Sequence, residues 1–125
     1  MTGEKPSSRE LLAAVKEFME TRVIKAVDNR TAFHARVAAN VLSIVDRELD
    51  LGPELAIAER ERLAVLLKTD GNRNALNKEL CLRIRNKKID PENPVLIEHL
   101  YQTVMGRLSI DNPRYSAYLN ALETS

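Results

Sequence analysis

The chain has 125 residues, 44% of them hydrophobic and 30% charged, a size and balance that suit one ordered domain and exclude a disordered chain. Lys and Arg total 19 against 18 Asp and Glu, so a net charge of +1 offers no global field to nucleic acid or an anionic membrane; binding of that kind needs a local patch. Two Phe, three Tyr and no Trp leave the core to Leu, Val, Ile and Ala, and the single Cys81 excludes an internal disulfide.

Residues 1–6 read as a flexible polar tail without the apolar stretch of a signal peptide, and with the lone cysteine this gives the expectation of a cytoplasmic protein. Ser7 and Glu10 then form an S-x-x-E capping box, which predicts a helix from Ser8 to about Lys25. Its Leu11, Leu12, Val15, Phe18, Met19 and Val23 recur at threes and fours and make one stripe to be buried. Asp28 to Thr31 supply caps for a second helix that continues to Leu51 and stops at Gly52-Pro53, a terminating glycine followed by a helix-starting proline. A third helix opens at Pro53, turns Leu55, Leu63, Leu66 and Leu67 inward and ends near Asp70-Gly71. The fourth carries Leu76, Leu80, Cys81 and Ile84 inward.

Two prolines make "KIDPENP" a loop, because the residue before each is pushed out of the helical region. Pro94 opens a fifth helix through Leu96, Leu100, Tyr101, Val104 and Leu108. Residues 110–125 read as a loop and a C-terminal tail, with a short turn of helix, packed on the bundle. No period-two alternation, fixed repeat or membrane-spanning apolar run occurs. The expectation is an all-α fold, residues 1–125 forming a single-domain antiparallel bundle of about five helices.

On the second helix, Phe33, Val37, Val41, Ile44, Val45 and Leu49 project onto one broad apolar arc, which assigns them to the core. His34 falls inside the arc, and Arg36 and Asn40 make a polar seam along it with Arg47. A buried histidine or asparagine needs hydrogen-bond partners, so His34 and Asn40 are expected to fix helix register, with contact to a ligand or partner as the alternative. A second seam, His99, Thr103 and Arg107, follows at i, i+4 on the fifth helix beside Gly106, which marks either close approach of another group or a tolerated surface glycine. In "SIDNPRYS", Asp111, Asn112, Arg114 and Tyr115 either lock the tail or meet an anion or partner.

Neither histidine has metal-ligand spacing, Cys81 lies on an apolar stripe, and no phosphate-cradling glycine motif is present, so no metal, cofactor or catalytic set is expected. The basic run from Arg73 to Lys88 spreads its charge around the helix with no interleaved aromatics, the pattern of a solvated surface rather than a nucleic-acid site.

"FHARVAANVLSIVDRELDLG", "LNKELCLRIRNKKID" and "RLSIDNPRYS", in this order and at these spacings, resemble a family of small bacterial proteins encoded beside an aminoglycoside-phosphotransferase-like kinase and an acyl-CoA dehydrogenase. That arrangement is similar to the one for catabolism of levulinate and other 4-hydroxy acids. The resemblance implies a noncatalytic accessory subunit of a kinase acting on hydroxyacyl-CoA, with the kinase supplying ATP, magnesium and the catalytic aspartate. Homo-oligomerisation is compatible with it. The alternative is a stand-alone module for an acyl-CoA thioester or another anionic metabolite, with Arg36, Arg107 or Arg114 holding phosphate.

Overall fold

The computed structural model describes residues 5–124, and among them every regular element is a helix: the fold is all-α. Helix α1 spans Ser8–Phe18, runs on through a π-helical segment, Met19–Val23, and closes with the turn Ile24–Ala26. Helices α2 (Asn29–Leu67), α3 (Arg73–Arg85), α4 (Pro94–Asp111) and α5 (Ser116–Glu123) follow. Of the tail expected at residues 1–6, residues 1–4 lie outside the described residues, and Lys5 and Pro6 are exposed and non-helical. The chain forms two compact units, Met1–Asp50 and Leu51–Ser125, whose boundary falls within α2.

The capping box at the start of α1 is formed as its spacing requires. Ser7 Oγ accepts from the Glu10 N–H at 3.1 Å, and Glu10 Oε1 accepts from the Ser7 N–H at 2.9 Å. Asp28 caps α2 in the same way, Oδ1 accepting from the Thr31 N–H at 2.7 Å, and that bond holds its carboxyl below the usual carboxylate range. In this unit α1 and the first half of α2 run antiparallel: Arg9 lies 2.7 Å from Asp46 and 3.2 Å from Asp50, at the opposite end of the hairpin from its turn. The buried side chains of α2 here are Ala32, Ala35 and Ala39, whose small size permits close helix approach.

Gly52-Pro53 does not end a helix, and the two helices expected on either side of it are one element. Pro53 withholds one N–H from the hydrogen-bond ladder, yet its fixed φ is helical. Gly52 has no Cβ for the proline ring to strike, which removes part of the clash that expels most residues before proline from the helix. The stop comes at Lys68, which takes a left-handed φ of 54°. The Thr69 N–H then reaches back to the Ala64 carbonyl at 3.2 Å, and Arg83 Nη1 donates to the freed Leu67 carbonyl at 2.8 Å, placing a cation at the negative end of α2.

Leu63, fully buried, centres the core of the second unit with Leu67, Leu76, Leu80 and Leu96, against which Ala64, Leu66, Ile84 and Ile89 pack. Cys81 is exposed rather than inward, because it stands about 100° around the helix from Leu80, off the row of Leu76, Leu80 and Ile84. Leu100, Tyr101 and Val104 of α4 are likewise exposed. The inward row is Leu96, His99 and Ile110 with half-buried Thr103 and Gly106 between them, spaced by three and four residues. Small and hydrogen-bonded side chains let the backbones approach along that row, so it is buried in place of the more apolar stripe beside it.

The basic run is partly absorbed into the fold. Arg73 pairs with Glu59 at 3.3 Å, Asn77 donates to the same carboxylate at 3.1 Å, and Arg83 pairs with Glu79 at 2.7 Å. The C-terminal segment forms a two-turn helix, α5, where only a short turn was expected from the sequence. It opens after a turn in which the Tyr115 N–H donates to the Asn112 carbonyl at 3.1 Å, with Pro113 in the second position, where its fixed φ belongs.

Candidate functional site

Two features of the molecule are chemically unlike an ordinary surface, one in each unit. In the second unit the C-terminal part of α2 and the start of α4 run antiparallel and leave a cleft of about 490 Å3 between them. Glu61, Arg62 and Val65 line one side; Pro94, Val95, Glu98 and His99 line the other. Asn93 fixes the start of α4, its side-chain oxygen accepting from the Val95 and Leu96 N–H groups at 2.8 and 3.4 Å, with Pro94 in the first turn.

His99 lies at the base of the cleft, 3% exposed. Its Nδ1 accepts from Arg62 Nε at 3.2 Å, while Arg62 Nη2 donates to Thr103 Oγ1 at 3.1 Å and Thr103 donates in turn to the His99 carbonyl at 2.9 Å. Burial, reinforced by the Arg62 charge and opposed by Glu59, pushes the His99 pKa down. The ring is therefore neutral near pH 7, and with Nδ1 accepting, its proton sits on Nε2. Among the described residues no buried side-chain nitrogen or oxygen lacks a hydrogen-bond partner.

The lowered pKa has a pH signature. Below the ordinary histidine value of about 6.5 the unfolded chain binds a proton that the folded chain refuses, so stability present above that pH is lost as pH falls toward the depressed folded value. Urea midpoints at about pH 7.5 and about pH 5.5 check this: the decline attributable to His99 should vanish in His99→Gln.

Of the residues picked out in the sequence, the fold joins His99 to Thr103 through Arg62, and Arg107 to Asp111 through a two-pronged contact at 2.8 and 2.6 Å. Asp111 is the last residue of α4 rather than part of a loop; Asn112 caps that helix, and Arg114 and Tyr115 are exposed. Gly106 marks close approach, since a Cβ there would stand 3.2 Å from Leu55 Cδ2. Gly106→Val is expected to cost about 1–3 kcal/mol in urea unfolding through overpacking against Leu55. Arg62, Glu61 and Glu98 were not foreseen, because a run such as "ERERL" reads as solvated charge and carries no signal of which arginine turns inward.

The second feature belongs to the first unit. Phe33, Val37, Val41, Val45 and Leu49, assigned to the core by their periodicity, are exposed, Phe33 by 59%, and Ile44 is half-buried. The alanine face takes the inward position instead, which turns this arc to solvent. His34, Arg36 and Asn40 are exposed as well, so burial does not force them into a register-fixing role; His34 meets Phe33 edge to face at 5.6 Å. The five exposed residues form an i, i+4 row, the ridge that interdigitates in the commonest helix packing. On α1, Leu11, Val15 and Phe18 are also about half exposed. Each of these side chains leaves roughly half of its surface to water.

No helix among the described residues is long and apolar enough to cross a membrane, and no cluster of three or more His, Cys, Asp or Glu there could hold a metal ion. Residues 25–115 match a family model described as "Domain of unknown function (DUF6285)". No match is found among curated proteins or among solved structures.

Proposed function

The chain belongs to the DUF6285 family, and we propose that it is a noncatalytic accessory subunit that docks on an aminoglycoside-phosphotransferase-like kinase acting on hydroxyacyl-CoA in short-chain hydroxy or keto acid catabolism. The exposed ridge Phe33, Val37, Val41, Val45 and Leu49 carries this reading, because a continuous row of half-exposed apolar side chains along one helix is the kind of surface that marks protein interaction sites. A ridge of this geometry fits the groove of a partner helix, and His34, Arg36 and Asn40 supply a polar rim beside an apolar centre, the usual anatomy of a protein interface. In this reading nucleotide, metal and catalytic carboxylate belong to the kinase, and the class of kinase is taken from the family that the sequence resembles.

Co-purification tests the assignment. An aminoglycoside-phosphotransferase-like kinase from the same organism, co-expressed with this chain, should elute with it as a stoichiometric complex and lose activity when the chain is withheld. A kinase fully active alone that never associates with the chain would remove the reading. A second copy of the chain is the competing occupant of the ridge, and light scattering of the isolated protein distinguishes the two.

A further inference from the structure

The ridge on α2 is self-complementary, and we infer that in concentrated solution the isolated chain pairs through it with a second copy of itself, the two α2 helices antiparallel and crossing at Val41. In the first unit the buried side chains among the described residues are Ala32, Ala35 and Ala39, so the chain leaves its own Phe33, Val37, Val41, Val45 and Leu49 uncovered. That row is symmetric about its middle, with Val37 and Val45 one step and Phe33 and Leu49 two steps to either side of Val41. A two-fold axis through Val41 therefore sets Val37 of one copy toward Val45 of the other, apolar against apolar, in the isologous contact by which most homodimers form.

Charge fixes the direction. The turn end of the α1–α2 hairpin carries Arg22, Lys25, Arg30 and Arg36 against Glu20 and Asp28. The open end carries Glu10, Asp46, Glu48 and Asp50 against Arg9 and Arg47, with Arg9 held by Asp46 and Asp50. The unit is thus basic at one end and acidic at the other. Antiparallel copies lay each basic end beside the other copy's acidic end, whereas parallel copies set like charges together. One helix laid on one helix covers less than a standard interface, which places the dissociation constant at roughly 100 μM. At about 1 μM the chain is a single copy with its ridge free. One ridge admits one occupant, so self-pairing is a resting arrangement that kinase docking displaces; this last step alone rests on the kinase reading.

Sedimentation equilibrium of the full chain from about 10 μM to about 1 mM tests the pairing, and the wild-type mass should rise from one copy toward two across that range. Val41→Asp sets two carboxylates against each other on the axis and should remain a single copy throughout, while Val65→Asp, in the other unit, should pair as the wild type does. Arg30→Glu together with Arg36→Glu makes both ends of the hairpin acidic and should weaken pairing at least about tenfold. The inference is overturned if the wild-type chain stays a single copy at about 1 mM, if Val41→Asp still pairs, or if the double arginine variant pairs as well as the wild type, as a parallel arrangement would allow. Adding the proposed kinase partner should convert the pair into a complex with one copy of this chain, and a complex that keeps the two copies paired overturns the displacement. A chain that never self-pairs leaves the docking reading standing, and a kinase that never associates leaves the self-pairing standing.

Discussion

Leu63→Ala is expected to lower stability by about 3–5 kcal/mol, the upper part of the range for a large-to-small core substitution. The cost is high because Leu63 has no exposed surface and is surrounded by Leu67, Leu76, Leu80 and Leu96 from three helices, so that no single element can move in to fill the void. Leu66 and Ile84, packed against the same cluster while partly exposed, should cost less on truncation because water already reaches them. Urea unfolding of the variants, followed by circular dichroism, gives the ranking. A loss for Leu63→Ala no larger than for Leu66→Ala would mean that the centre of the core lies elsewhere.

Val41→Asp should weaken association with the proposed kinase partner by at least about a hundredfold, equivalent to about 2.7 kcal/mol, while leaving the isolated chain as stable as before. Val41 sits mid-ridge and is half exposed, so an aspartate there is solvated in the free chain and desolvated without a partner in the complex. The sign of the stability change separates interface from core, since a core valine replaced by aspartate would unfold the unit. Arg9→Ala is the contrasting control. Its contacts with Asp46 and Asp50 are solvent-exposed, and their loss should change stability little, with the lowered Asp46 pKa relaxing toward its ordinary value.

Helix existence was legible in the sequence because local signals decide it: the Ser7–Glu10 box, the Asp28 cap, the Pro94 start and the Asp70-Gly71 turn all act within a few residues. Gly52-Pro53 was misleading because two residues that each break helices cancel part of each other's effect when glycine precedes proline. Facing was harder to read. Periodicity locates an apolar arc but does not say which chain covers it, so Phe33, Val37 and Val41 were assigned to a core that the smaller Ala32, Ala35 and Ala39 occupy. On α4 the same ambiguity chose Leu100 and Val104 over the row through His99, Thr103 and Gly106.

The candidate site was half visible for a related reason. His99 and Thr103 stand out at i, i+4, but the partner that defines their chemistry, Arg62, is 37 residues away from His99 in the chain and looks like any other charge of its helix. Only the antiparallel pairing of α2 with α4 brings the guanidinium to the imidazole and fixes which ring nitrogen carries the proton. The ion pair of Arg107 with Asp111, by contrast, follows from spacing on one helix.

The proposed docking surface is tested most directly by the valine methyl resonances of this chain with and without the proposed kinase partner. Val37, Val41 and Val45 should shift or broaden on addition of the kinase, while Val65 and Val95 in the second unit stay in place. Perturbation confined to Val65 and Val95, with the three ridge valines unchanged, would contradict the assignment of the ridge as the docking surface.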